Sequence, residues 1–303
     1  MLWSASRRCG PVSIGPHRLT DHHSRFDQDP FPMREARLMG TPRNEPLTAG
    51  ALRDGWQRLG VRPGMNLIVH SSLSSLGHVE GGADTVIESL TAAVGPDGTV
   101  VTPAFTRQVT DPDPLHPRIP TPAIRERRAA VPLFHTDLPS SMGAIPEALR
   151  RRPESLRSPH PQASVAAVGA HAAEIVAHQP LGFALGRTSP FGRLHDLGAY
   201  ILLIGVGHDR NSFLHHAETL TPCPRLKVRR FPHLVNGERV WIETLDVGND
   251  NDTFFPIVGK EFEAKAGIAE AQVGAAACRL LPTTAFVPFA VQRLTELLPT
   301  PNS

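Results

Sequence analysis

An almost wholly apolar run closed by glycines, YILLIGVG at 200–207, restricts this 303-residue chain more than any other segment. It is far too short to cross a bilayer, and it reads as the clearest central strand in the chain. GMNLIVHSSL supplies a second buried strand from Asn66 to Val69 that empties into a polar loop. The helical pattern GGADTVIESLTAAVGPDG follows, with Val86, Ile87, Leu90 and Val94 on its apolar face, and TVVTPAF is the next strand. That β-α-β order predicts parallel strands with helices packed on them. The expected fold is α/β: a central mixed, largely parallel sheet flanked by helices, with a β-rich C-terminal section.

The remaining segments fit that frame. Thr48 is a good N-cap for AGALRDGWQRLG, where Leu52, Trp56 and Leu59 recur at helical spacing and Gly60 stops the run. MGAIPEALRRRP, AHAAEIVAHQ, SPFGRLHDLG and NSFLHHAETL read as helices, and ASVAAVG as a strand. From Thr106 to Pro139 the chain is proline-rich and irregular, the pattern of a lid or binding loop. LKVRRFPHLVNGERVWIETLD predicts a hairpin turning at Asn236-Gly237. Helices are expected over Pro256 to Ala266 and Pro288 to Leu298. Residues 1–44, rich in Pro, Arg, His and Asp, are expected to be a disordered extension, with Met33 and Met39 as further candidate starts; 45–303 are expected to form a single domain.

Charge and cysteine content narrow the function. Residues 1–40 hold six arginines against four acids, and the rest of the chain balances at 25 basic and 25 acidic side chains. A neutral body carries no electrostatic footprint for nucleic acid. Nothing predicts a membrane span or a signal peptide, and Cys9, Cys223 and Cys278 are too scattered for a disulfide framework. The expected compartment is the cytoplasm.

Four segments carry possible chemistry. GVGHDR begins like a dinucleotide fingerprint, but Arg210 stands where the third glycine belongs. In HDRNSFLHHAE, His215 and Glu218 share a helix face at i, i+3. That pair suits acid–base work, a metal site completed by His208 or Asp209, or a solvated helix start. VHSSLSSLG places Ser71, Ser72, Ser74 and Ser75, with Leu73 and Gly77, just past a strand end, where ligands of open α/β sheets bind. In RSPHPQASVAAVG, Pro159 and Pro161 stiffen the backbone around His160, so its imidazole is either packed for structure or aimed at something.

Five blocks occur in order: VHSSLSSLG…GG (69–82), GTVVTPAFT (98–106), MGAIPEALRR…RSPHPQASVAAVG (142–169), SPFGRL (189–194) and LLIGVGHDRNSFLHHAE (202–218), with VGAA at 273–276 beyond them. Together they resemble the aminoglycoside 3-N-acetyltransferase family, and the likeness runs from about Thr48 to the C-terminus. It implies the antibiotic N-acetyltransferase fold and acetyl-CoA as co-substrate, without a metal. Arg157, Ser158, His160, Pro161 and Ser164 match one family motif, which implies His160 as catalytic base. Asn211, His215 and Glu218 match another, with Ser212 in place of the usual threonine. Ser71 to Gly77 match the segment that holds CoA, and Ser164 is expected to join them.

The implied reaction is direct acetyl transfer to the 3-amino group of a deoxystreptamine antibiotic. Glu218 would hold the His160 imidazole or bind a substrate ammonium, and serine-loop donors would steady the thioester oxygen. Asp111, Asp113 and Asp137, with Glu218, Asn211 and His215, are the expected contacts of a polycationic acceptor. Cys223 has no recognisable partner for a covalent route. The alternatives are the same chemistry on another amine, a metal-dependent hydrolase built on His208, Asp209, His215 and Glu218, and a non-catalytic CoA-binding protein. The expected state is a monomer or homodimer.

Overall fold

β1 (Asn66–Ser71), β2 (Thr99–Pro103) and β5 (Tyr200–Ile204) are buried almost from end to end, because helices cover both sheet faces. The computed structural model describes residues 46–114, 120–248, 251–268 and 270–298, and Pro46–Leu298 form one compact unit. The expected disordered segment at 1–44 lies outside the described residues. Side chains alternate across the sheet as a two-residue period requires: Leu67, Val69, Leu202 and Ile204 enter one core, Ile68, Ile201 and Leu203 the other.

The main sheet has seven strands in the order β3-β4-β2-β1-β5-β9-β8, adding β3 (Leu156–Arg157), β4 (Val165–Gly169), β8 (Ala271–Val273) and β9 (Ala276–Pro282). It is mixed, as expected, but its parallel part is confined to β2-β1-β5; the outer pairings are antiparallel. The first core lies under α1 (Ala49–Leu59), α2 (Gly82–Val94) and α4 (Ala144–Arg150). Trp56 is fully buried there, its indole N–H donating to Ser89 Oγ at 2.8 Å. Thr48 Oγ1 accepts from Ala51 N–H, and Gly60 ends α1 at φ 116°, a left-handed conformation that glycine adopts without strain.

The second core lies under α5 (Ala172–Val176), α6 (Pro190–Asp196), α7 (Phe213–Thr219), α8 (Phe255–Ala266) and α9 (Thr283–Leu297). α9 starts five residues before Pro288, which lies inside the helix and not at its head. β8 and β9 were not foreseen, nor was α3 (Pro122–Ala130) inside the irregular 106–139 stretch. α3 buries Ile124 and is otherwise polar or small, so it has no apolar stripe to reveal it. Residues 115–119 of that stretch are not described. Among the described residues, no helix is long and apolar enough to cross a membrane.

β6 (Leu226–Val235) and β7 (Glu238–Val247) form a separate two-stranded sheet. Its turn falls on Asn236-Gly237, with φ of 53° and 82°, the two consecutive positive angles of a type I′ turn. The parallel strands β1, β2 and β5 send their following loops to one edge of the main sheet, where open α/β sheets place their ligands.

Candidate active site

α7 follows β5 through a short turn, and Asn211 fixes its start: Asn211 Oδ1 accepts from Phe213 N–H at 3.1 Å. Phe213, Leu214 and Ala217 bury one side of the helix. The opposite spacing brings His215 and Glu218 together, with Nδ1 3.5 Å from Glu218 Oε2: an ion-pair contact that falls short of a hydrogen bond and leaves the buried Nδ1 without a hydrogen-bond partner among the described residues. His215 also meets the Phe255 ring edge-on at 4.8 Å. Glu218 is completely enclosed, and Arg225 grips it through Nε to Oε1 at 2.7 Å and Nη2 to Oε2 at 3.1 Å. Burial pushes the Glu218 carboxyl up, but the His215 and Arg225 contacts together outweigh it and hold the group below its ordinary value.

His215 keeps 15 % of its side chain exposed, on the wall of a cavity of about 550 Å³. The loop after β2 (Phe105, Thr106), Ser212 and the hairpin residues Lys227, Arg229 and Asp246 share that wall. Asp246 Oδ1 accepts from Val247 N–H at 2.8 Å and Oδ2 from Ala184 N–H at 3.4 Å, while burial pushes its carboxyl up.

His160 touches the same cavity but is only 2 % exposed. Its Nδ1 accepts two backbone N–H bonds, from Gln162 at 3.1 Å and Ala163 at 2.9 Å. That assigns the ring proton of the neutral form to Nε2, which donates to Leu181 O at 3.2 Å. Phe231 abuts the ring edge-on at 5.5 Å, and burial pushes its pKa down to about 4. A neutral imidazole bonded in this way has no free lone pair to accept a proton. The expectation that His160 is the base therefore does not fit its geometry; its prolines hold a scaffold histidine. No hydrogen bond or ion pair joins Glu218 to His160.

The rest of the RSPHPQAS segment is built into the same scaffold. Arg157 donates to the carbonyls of Ala104 and Thr136, and its Nε to Ser164 Oγ. Ser164 is buried and donates onward to Ala104 O at 2.8 Å, so it offers nothing to a cofactor, against expectation. Ser158 Oγ donates to Gln179 and accepts from Val165 N–H.

Other expected contacts move too. Asn211 is 1 % exposed, its amide held by His208 and Phe213, and enclosed Glu218 cannot touch a substrate directly. Asp111 lines the cavity but is neutralised by a two-pronged pair with Arg128, at 2.9 and 2.5 Å. Asp113 pairs with Arg127, and Asp137 faces Arg150 and Arg157; neither lines the cavity. Of the expected substrate contacts, His215 alone combines cavity exposure with a free ring nitrogen, Nε2.

Ser71 to Gly77 leave β1 as a short 3-10 turn outside the cavity wall. Ser72 and Ser74 hydroxyls bond each other and Ser75 Oγ donates to Ser72 O. Ser71 Oγ is buried without a partner, and the N–H groups of Leu73 and Ser74 are unengaged among the described residues. Gly205 packs so closely on Ser75 that an added Cβ would lie 1.8 Å from its hydroxyl, which brings the loops after β1 and β5 together.

The hydrolase alternative lacks its donor set. His208 Nε2 bonds Glu263 at 2.8 Å, Glu218 is held by Arg225, and no group of three or more metal-ligating side chains forms among the described residues. Arg225, Lys227, Arg229 and Asp246 were missed by sequence reasoning. The signal available was alternation: Lys227, Arg229 and Phe231 fall on one side of β6, the side that faces His160.

The sequence matches the family described as aminoglycoside 3-N-acetyltransferase over residues 68–295. An aminoglycoside N(3')-acetyltransferase-like protein of Bacillus subtilis (strain 168), YokD, is 37% identical, the alignment covering 81% of this chain and 91% of that protein. Its crystal structure superposes with a TM-score of 0.78 over 83% of this chain and 94% of that one, at 36% identity. AAC-VIa bound to sisomicin gives a TM-score of 0.74 at 30% identity, over 83% of this chain and 98% of that one. AAC-IIIb in a binary complex with CoASH gives 0.73 at 31% identity, over 82% and 97%. With the family match spanning residues 68–295 and a 37% identical relative aligned over 81% of its length, this chain belongs to the aminoglycoside 3-N-acetyltransferase family.

Proposed function

We propose that the chain is an acetyl-CoA-dependent N-acetyltransferase in which His215, oriented by Glu218, is the general base. One observation carries this reading: His215 presents a free Nε2 on the cavity wall while its Nδ1 faces an enclosed carboxylate that Arg225 locks in place. Acetyl transfer needs a neutral amine, and imidazole is the side chain whose ordinary titration range lies nearest neutral pH. The acceptor nitrogen attacks the thioester carbonyl in a ternary complex, forming the C–N bond. His215 Nε2 takes the proton, and the C–S bond breaks to release CoA, whose thiolate is protonated in turn. Direct transfer is supported by the cysteines: Cys278 is buried, with its thiol pushed up to about 11, and Cys223 does not line the cavity.

The serine loop suits the CoA chain. The unengaged N–H groups of Leu73 and Ser74 are donors for its amides and phosphates, beside the loop that leads into α7. The CoA complex of AAC-IIIb supports the same co-substrate here. Kinship suggests the 3-amino group of a deoxystreptamine antibiotic as acceptor. A second reading, the same reaction on another amine, is favoured by the neutralised or displaced aspartates Asp111, Asp113 and Asp137.

The test is thiol release from acetyl-CoA in the presence of aminoglycosides and simpler amines, with wild type and His215→Asn. Amine-dependent thiol release that falls in the variant by about 10²-fold or more is expected. Turnover by His215→Asn close to wild type would overturn the assignment of the base. Acetyl-CoA binding without thiol release for any amine would overturn the enzyme reading.

A further inference from the structure

Among the described residues, the cavity carries more positive charge without a paired carboxylate than an acceptor made of several ammonium groups can meet comfortably. Four of its lining charges cancel in three pairs: Asp111 with Arg128, Asp209 with Arg210, and Arg230 with Glu243. Lys227 and Arg229 do not cancel. Both line the cavity from one side of β6, and among the described residues no carboxylate stands within ion-pair distance of either. Arg229 has a single hydrogen bond, from Nη2 to Val247 O at 3.3 Å, and Lys227 Nζ has none. Burial pushes both groups below their ordinary values; Arg229 adds to the effect at Lys227, while Asp246 only partly offsets it at Arg229. The remaining acid, Asp246, is cross-strand from Lys227 and acts electrostatically first on Arg229 and then on His215, so it offsets part of the Arg229 charge and none of it through a direct ion pair.

We propose that the acceptor is an amine carrying an anionic group, a phosphate or a carboxylate, which seats on Lys227 and Arg229 while the amine meets His215 beside Asp246. The inference rests on the acetyltransferase reading and specifies its acceptor. Half-buried cations without partners are costly unless a ligand supplies the opposite charge. A guanidinium fork beside an ammonium fits the oxygens of phosphate or carboxylate. A polycation would bring further positive charge against the same two groups.

CoA also carries phosphates, so the experiment is run on the full chain saturated with CoA. Calorimetry compares glucosamine 6-phosphate, glucosamine and glutamate in wild type, Lys227→Glu and Arg229→Gln, with melting curves to establish that each variant is folded. Glucosamine 6-phosphate or glutamate is expected to bind wild type about ten-fold or more tighter than glucosamine, and the preference is expected to vanish in both variants. Phosphate and carboxylate are distinguished by which probe keeps the advantage. In parallel, the KM for gentamicin in acetyl transfer is expected to fall several-fold in Lys227→Glu. Equal binding of all three probes overturns the proposal. So does a gentamicin KM that is unchanged or raised, or a rise confined to the KM for acetyl-CoA, which would give the two cations to CoA. Anion-dependent binding without thiol release from any amine would leave the cationic subsite standing and refute the enzyme reading instead.

Discussion

His160 and His215 are expected to fail in opposite ways when replaced, and the contrast tests the assignment of the base. Truncating His160 to alanine removes the acceptor for two backbone N–H groups and the donor to Leu181 O, all in a site where the ring is 2 % exposed. Buried groups left unpaired cost about 1–3 kcal/mol each, so for three groups the loss is about 3–9 kcal/mol before any cavity term is added. For a chain of this size that lowers Tm by about 10 °C or more. Asparagine should recover much of it, because its Oδ1 can replace Nδ1 as acceptor for residues two and three positions on, leaving Leu181 O unmet at about 1–2 kcal/mol. The assay is a melting curve beside kcat measured well below Tm. His160→Asn is expected to melt a few degrees lower and to keep kcat within about three-fold, whereas His215→Asn keeps its Tm and loses about 10²–10⁴ in kcat. A folded His160→Asn that loses as much kcat as His215→Asn would refute the reasoning.

Glu218→Gln keeps the shape but removes the charge facing His215 and Arg225; kcat is expected to fall about 10–100-fold, with Tm lowered because the ion pair from Arg225 to Glu218 is lost in a half-buried site. Stability is expected to fall as pH drops below 6.5. His160 and His216 have pKa values pushed down to about 4, and His70 to about 3, so between those values and 6.5 the unfolded chain binds more protons than the folded one. Each then removes about 1.4 kcal/mol per pH unit, about 6 kcal/mol in all by pH 5, and a Tm that stays flat from pH 7 to 5 would contradict it. Gly259→Ala would place a Cβ 1.9 Å from the His208 ring, which is bonded to Glu263 and stacked on Phe286; a loss of about 1–3 kcal/mol in denaturant unfolding is expected.

The framework was legible wherever one physical signal dominated. Unbroken apolar runs marked β1 and β5, a capping threonine and a stopping glycine bounded α1, and Asn236-Gly237 fixed the hairpin turn. α3 and the start of α9 escaped because polar surface and an internal proline obscure helical periodicity. The site was legible as a set of residues but not as roles. His215 and Glu218 stand out as a pair, while the resemblance implies His160 as base; the geometry favours His215, because prolines that stiffen a backbone do not tell whether the side chain's nitrogens meet substrate or neighbouring N–H groups. Those partners, Gln162, Ala163 and Leu181, are main-chain atoms, and side-chain chemistry carries no trace of them.

The scaffold role of His160 bears on how acceptor choice is built. The hairpin does not pair with the main sheet; it is held by Phe231 against the His160 ring, by Gln162 Nε2 donating to Arg230 O, and by Phe183 N–H donating to Leu245 O. His160 thus anchors the element that presents Lys227, Arg229 and Asp246, while His215 and Glu218 stand on a helix fixed to the sheet's own turns. Alternation along β6 separates these duties further. Phe231 is the buried anchor, whereas Arg229 and Lys227, two and four residues away on the same side, face open volume and contribute little to the core. Charge at those two positions can therefore change with small effect on the fold, while a change at Phe231 would move the whole wall. On the proposed assignments, proton transfer by His215 and acceptor recognition at Lys227 and Arg229 fall on different elements that meet across one cavity, so changing the acceptor need not disturb the dyad.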